Sequence, residues 1–342
     1  MDLESFYGNR ETAAALEDMI ARHRIAQTLL LSGPEGIGKA TLARRFGALL
    51  LGDAEKIEHD DLSLDSNLTL IADREKWTAD KRNEDPLLFA SHPDFVTFAP
   101  DGPLRQITIP QMRLLKDRAT LKPLKGDWRI FLIDQIDRAN EQAANSLLKT
   151  LEEPPPHLIL IMTARNPYDL LPTIRSRAVP FRLSPLNDTE MRDFVAYKGL
   201  NEPNKRRMLA EGSPGLAVSI DLEAYERRRV AMLALLRVSS GMDPFGAWLK
   251  HSDSIAARRT EKLDSYLNVL YMLLEDVLRL SNGVPAIRND DLRPELEALA
   301  GRVSFEWLRA AVAKVDEMMD LVRRNIQKSI ALDAFAVELR SR

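Results

Sequence analysis

The sequence predicts a doubly wound α/β domain with a parallel sheet, followed by helical regions, and three observations carry that expectation. Four short apolar runs, 28–31, 95–98, 129–133 and 158–162, read as buried strands. Each is separated from the next by enough chain for a helix, the spacing of parallel βαβ units. Finally, Gly33-Pro34-Glu35-Gly36-Ile37-Gly38-Lys39 follows the first run and leads through Ala40 and Thr41 into a helical pattern. A strand, a glycine-rich turn and a helix N-terminus in that order make a phosphate-binding loop, because backbone N–H groups and the helix dipole converge on an anion.

Between the runs, helices are expected at 39–52, 110–121 and 138–152, the second opened by Pro110 at the favoured first position. Residues 53–85 break the pattern: eleven Asp and Glu stand against five Lys and Arg, with few apolar positions after Leu70. Such a stretch buries little on its own, so a solvated, partly disordered excursion is expected in preference to a functional element. The α/β domain is expected to span 1–184. Residues 185–221 then read as a small helical subdomain, with Asn187 or Asp188 capping a helix, Glu190 in its first turn and Gly212-Ser213-Pro214-Gly215 breaking the pattern. From 222 to 342 longer amphipathic helices follow. One stripe is Leu263, Tyr266, Leu267, Leu270, Leu274, Val277; a second is Leu308, Val312, Val315, Met319, Val322. A bundle packing on itself accounts for these stripes, with an oligomer interface as the alternative for part of them. No internal repeat or low-complexity tract is present.

Composition narrows the chemistry. The 342 residues carry a net charge of −3, which argues against a dedicated nucleic-acid binder with a strong basic field. Absence of cysteine excludes disulfides, thiolate metal sites and a cysteine nucleophile. His23, His59, His92, His157 and His251 show no ligand spacing. Met1 leads into Asp2, Glu4 and Arg10 without an apolar leader, and no run approaches the roughly 20 apolar residues of a membrane helix, so no membrane role and a cytoplasmic location are expected.

A nucleotide-hydrolysing loop needs a cation, an acid to hold that cation's water and a base for the attacking water. Lys39 supplies positive charge near the β- and γ-phosphates. Asp134, ending the run 129–133, is the carboxylate placed to hold Mg²⁺ with nucleotide. Two positions then fail. Ala40 stands where a serine or threonine hydroxyl should bind Mg²⁺, and Thr41 is turned about 100° away along the helix. Gln135 stands where a glutamate base is needed, and an amide cannot take a proton from water.

Several stretches together resemble a known family. The loop 33–39, His92-Pro93-Asp94, the run Asn145-Ser146-Leu147-Leu148-Lys149-Thr150-Leu151-Glu152-Glu153-Pro154-Pro155 and Leu171-Pro172-Thr173-Ile174-Arg175-Ser176-Arg177 resemble the AAA+ clamp-loader subunits of bacterial replicative DNA polymerase, nearest to the delta-prime type. The resemblance covers about 1–220 and is only architectural beyond. It implies an AAA+ P-loop domain, a helical lid at 185–221 and a helical collar that binds other loader subunits of gamma/tau and delta type. It also implies a role for Arg177, as an arginine finger reaching the neighbour's ATP site; a planar, always charged guanidinium suits a transferring phosphoryl group. The competing reading is that Arg177 pairs with a local carboxylate.

The chain departs from that family in three respects. The motif reads Ser176-Arg177-Ala178, without the family's cysteine. The four-cysteine zinc module is missing, which excludes zinc, and 53–85 occupies its place. In Gly212-Ser213-Pro214-Gly215-Leu216, leucine stands where active subunits carry an arginine on the γ-phosphate. Thr163 and Asn166 lie near the family's first sensor but take no role.

Ala40, Gln135 and Leu216 therefore point to a largely non-hydrolysing scaffold that supplies Arg177 in trans to an ATP-driven loader of the sliding clamp on primed DNA. ATP, with or without Mg²⁺, is expected to bind weakly or unhydrolysed at 33–41 and Asp134. The alternatives are an active gamma/tau-type ATPase and, less well supported, a small-molecule phosphotransferase. Any DNA-directed DNA polymerase (nucleotidyltransferase) activity belongs to the assembly, since no paired-carboxylate two-metal signature occurs in this chain.

Overall fold

Buried parallel strands need apolar side chains on both faces, and the central runs supply them. In the computed structural model, which describes residue 3 and residues 5–258, 261–322 and 327–340 (320–322 by backbone alone), the chain divides into two compact units, Met1–Ser219 and Ile220–Arg342. The first unit runs α1 (Arg10–Ala21), β1 (Thr28–Ser32), α2 (Lys39–Leu51), α3 (Ala54–Glu58), α4 (Asp65–Arg74), α5 (Ala79–Glu84), β2 (Phe89–His92), β3 (Phe95–Phe98), α6 (Ile109–Ala119), β4 (Arg129–Ile133), α7 (Glu141–Glu152), β5 (Leu158–Ala164), α8 (Pro172–Arg175), β6 (Val179–Arg182), α9 (Asp188–Tyr197), α10 (Pro203–Ala210) and α11 (Pro214–Ser219).

The six strands order as β2-β3-β4-β5-β1-β6, all parallel except the β2/β3 pair. Every residue of β1, β3, β4 and β5 is buried. The α/β fold class with a mostly parallel sheet is therefore the one observed. Two edge strands were absent from the sequence expectation. β2 is short and irregular, and β6 is largely exposed and contains Pro180, which an edge tolerates. Helix α6 starts one residue early: Thr108 and Gln111 form a capping box and Pro110 takes the second position.

Residues 53–85 correct the expectation of a solvated excursion. They fold as α3, α4 and α5, held by two buried arginines, one taking acids of the stretch and the other an acid beyond it. Arg44 of α2, 2% exposed, binds Glu58 at 3.1 Å and Asp61. Arg74 of α4 makes a two-pronged pair with the buried Asp101, at 3.1 and 2.8 Å, and lies 4.5 Å from the Trp77 ring centroid. Ile71, Leu87, Phe89 and Ala99 make a small core beneath. Asn187 caps α9, with Glu190 closing the capping box.

Among the described residues the regular elements of the second unit are helices: α12 (Leu222–Ser239), α13 (Gly246–Ala257), α14 (Leu263–Ser281), α15 (Arg293–Arg302), α16 (Phe305–Val322) and α17 (Lys328–Arg340). All six stripe residues of α14 are buried. On α16 the stripe shifts: Leu308, Ala311, Val315 and Met318 are buried, whereas Met319 is exposed and the Val322 side chain lies outside the described residues. A polar knot missed in the sequence ties the unit together. The buried Asp276 carboxylate accepts the N–H groups of Arg288 and Asn289, and Tyr225 donates to Asn289 at 2.7 Å. Burial pushes the Tyr225 phenol up to about 12. Among the described residues no helix is long and apolar enough to cross a membrane.

Candidate nucleotide-binding site

The ends of β1, β4 and β5 lie side by side, where Ser32 pairs with Ala164 and Ile133 with Met162. Ligands of open α/β sheets bind beyond such carboxyl ends. Residues 33–38 leave β1 there and return into α2, with Lys39 as its first residue. Gly33 and Gly36 take φ of 148° and 70°, and a Cβ at Gly33 would meet the Leu183 carbonyl at 2.3 Å. Glycine is required at both positions.

Two elements distant in sequence fasten this loop. Gly33 donates to Ala164 O at 3.1 Å. From the start of α11, Gly215 N–H donates to Gly36 O at 2.8 Å and Ser213 Oγ to Glu35 O at 2.9 Å. Gly215 has no room for a side chain, since a Cβ would lie 2.8 Å from Gly36 O. Leu216 N lies 3.0 Å from where a Cβ on Gly36 would sit, and its N–H is on Ser213 Oγ at 3.3 Å. Among the described residues the N–H groups of Gly36, Ile37 and Gly38 meet no acceptor, so the loop keeps donors for an anion.

Lys39 Nζ is buried and donates to Gly33 O at 2.7 Å and Pro34 O at 2.6 Å. Burial lowers its pKa, opposed by the charges of Asp134 and Asp137. Asp134 is buried too, and desolvation raises its pKa against hydrogen bonding from Thr163 and the charge of Lys39. The Thr163 hydroxyl donates to Asp134 Oδ1 at 2.6 Å and accepts from Gln135 N at 2.8 Å. Gln135 itself is held in the left-handed region, at φ 56°. Thr163 was located in the sequence without a role; as a polar residue inside an otherwise apolar strand, it carried a usable signal. Ser213 was located only as part of a helix-breaking stretch, and Arg165 was missed. Arg165, just past β5, pairs with Glu35 of the loop, and its N–H donates to Asp137 at 3.4 Å.

The structure thus groups 33–41, Asp134, Gln135, Thr163, Arg165 and Leu216. It does not bring Arg177 to them. The Arg177 guanidinium donates to Glu152 at 2.8 Å and to the Thr173 carbonyl at 2.9 Å. Among the described residues no cluster of His, Cys, Asp and Glu could hold a metal ion by itself.

The chain is 32% identical over 180 residues to the DNA polymerase III subunit gamma/tau of Mycobacterium tuberculosis (strain H37Rv), covering 52% of this chain but only 28% of that one. It is 26% identical over 228 residues to the DNA polymerase III subunit delta' of Escherichia coli K12, covering 66% of each. The chain therefore spans little more than a quarter of the mycobacterial relative's length. A solved gamma subunit-related protein from Thermotoga maritima superposes with a TM-score of 0.47 at 20% identity, over 96% of this chain and 99% of that one. The family model described as DNA polymerase III, delta subunit, matches residues 8–187, more than half of the sequence, and the model of its C-terminal region matches 252–337. The chain belongs to the DNA polymerase III delta subunit family.

Proposed function

We propose that this chain is a clamp-loader subunit of delta-prime type, a largely non-hydrolysing member that works as a scaffold and lends Arg177 to a neighbour's ATP site. The supporting observation is the state of the hydrolytic position. Asp134 is buried and its Oδ1 is engaged by Thr163, the Gln135 backbone N–H is tied to the same hydroxyl, and Ala40 has no side-chain oxygen. Ala40 cannot ligate Mg²⁺ through a hydroxyl, and the Gln135 amide cannot accept water's proton.

Nucleotide still fits the loop. The open N–H groups of 36–38 would take phosphate oxygens, Lys39 would exchange its two carbonyl partners for phosphate, and Asp134 would hold a metal-bound water at most. Binding by this loop is therefore weakly dependent on Mg²⁺ and uncoupled from turnover.

Arg177 is suited to act in trans because it is exposed and has one carboxylate partner, Glu152, itself exposed. An exposed pair of this kind is cheap to exchange. The partners proposed are gamma/tau-type and delta-type subunits, bound through the helical second unit and the Arg177 face, with clamp and primed DNA reached through the assembly. The test has two arms. The purified chain is expected to show no Mg²⁺-dependent ATP turnover; steady turnover identifies it instead as a gamma/tau-type motor. A loader reconstituted with Arg177→Ala is expected to lose at least tenfold in clamp-stimulated ATPase, given the size of arginine-finger effects. An unchanged rate removes the trans role.

A further inference from the structure

We propose that Glu35 is an internal stand-in for nucleotide phosphate: in the free chain it holds Arg165, and a bound triphosphate takes Arg165 from it. Arg165 would then supply at this loop the guanidinium that Leu216 cannot. The inference rests on the reading of 33–41 as a nucleotide loop.

Lys39 and Arg165 both reach the loop. Lys39 is turned inward onto the carbonyls of Gly33 and Pro34 and is buried. Arg165 comes from outside. Its backbone is placed by the end of β5, the strand next to β1, and by the N–H donated to Asp137. Its side chain is 55% exposed and closes on the Glu35 carboxylate, 61% exposed, at the third position of the loop. Glu35 is fixed in turn, because its carbonyl accepts from Ser213 of the lid.

This pair has the properties of an exchangeable partner. Both groups are in solvent, so little is gained by holding them together and little is lost on parting. A polyphosphate offers the guanidinium more charge and a matching two-pronged geometry. Glu35 opposes the same ligand, since a carboxylate on the loop's rim repels phosphate. The carboxylate thus acts on affinity twice, by engaging Arg165 and by its own charge.

A simple tether between loop and strand predicts something different. In that case loss of either partner loosens the loop, and both variants bind nucleotide less well. Exchange predicts opposite signs. Using the full-length chain, ATP and ADP affinities are measured by titration calorimetry, with Mg²⁺ and with EDTA, for wild type, Glu35→Gln, Arg165→Ala and Lys39→Ala; thermal melts confirm that each variant is folded. The expected result is about fivefold or greater tightening for ATP in E35Q and a loss of similar size in R165A, with smaller changes for ADP. Wild type that binds ATP while both variants weaken, or neither shifts, overturns the exchange and leaves the loop a nucleotide site. No binding by wild type or E35Q, under conditions where all are folded, overturns the nucleotide reading and the exchange with it.

Discussion

At the scale of single residues, Asp134 shows the conflict built into this site. A carboxylate removed from water prefers its proton, and here burial outweighs the help of Thr163 and Lys39, so the pKa is raised. A group whose folded pKa lies above its unfolded value contributes fully below the ordinary carboxylate range. That contribution is lost as pH rises through the folded value. Asp134→Asn retains an acceptor for Thr163 but has no proton to lose. The variant is therefore expected to melt close to wild type near pH 4 and above it at pH 8, with the gap widening across that interval. Each kcal/mol should move the midpoint by on the order of 2 °C in a chain of this size. Equal melting differences at both pH values would show that the carboxylate is not strained. Thr163→Val is the companion change. It strands both Asp134 Oδ1 and Gln135 N–H, and a buried unsatisfied pair should cost about 2 kcal/mol or more, read as a lower denaturant midpoint.

Among the elements, legibility followed burial. The four central strands announced themselves because parallel strands covered on both faces are continuous apolar runs, and 129–133 could be placed to the residue. β6 did not, since an exposed edge strand with an internal proline has no apolar signature. The phosphate loop, Lys39 and Asp134 were visible as local patterns. Ser213 could not be tied to the loop, because it meets Glu35 across 178 residues and nothing in either segment names the other. The acidic stretch misled for a related reason. Its composition counts charges but not their partners: Arg44 reaches Glu58 and Asp61 from outside the stretch, and Arg74 within it pairs with Asp101 beyond it. This makes Arg74 a sharp test of the element. Replacing it by Ala leaves Asp101 buried without its guanidinium, which should cost about 3–5 kcal/mol. Replacing Arg74 and Asp101 together by Met and Leu should recover much of that loss. Urea midpoints of the single and double variants check this, and a single variant as stable as wild type would return 53–85 to the status of a passive excursion.

For the whole molecule, the division at 219/220 separates two different kinds of stability. The first unit depends on a sheet assembled from strands far apart in sequence, whereas the second is a helical bundle closed by the return of α17 onto α12 and α13, with its own interior of Trp248, Leu267, Leu270, Leu273 and Phe335. Asp221 caps α12 through Ala224 N–H, so a cut just before it leaves that helix with its start intact. The buried knot of Tyr225, Asp276 and Asn289 also lies wholly within the second unit. A unit with its own core and satisfied polar groups should fold alone. The fragment 220–342 is therefore expected to be helical by circular dichroism and to melt cooperatively. Within it, Asp276→Ala should cost about 2–4 kcal/mol, because three donors lose their acceptor in a dry interior. Urea unfolding of the fragment and its variant measures this. A fragment with helical signal but no cooperative transition would mean that the second unit takes its order from the first, and a scaffold role would then have to be assigned to the chain as one body.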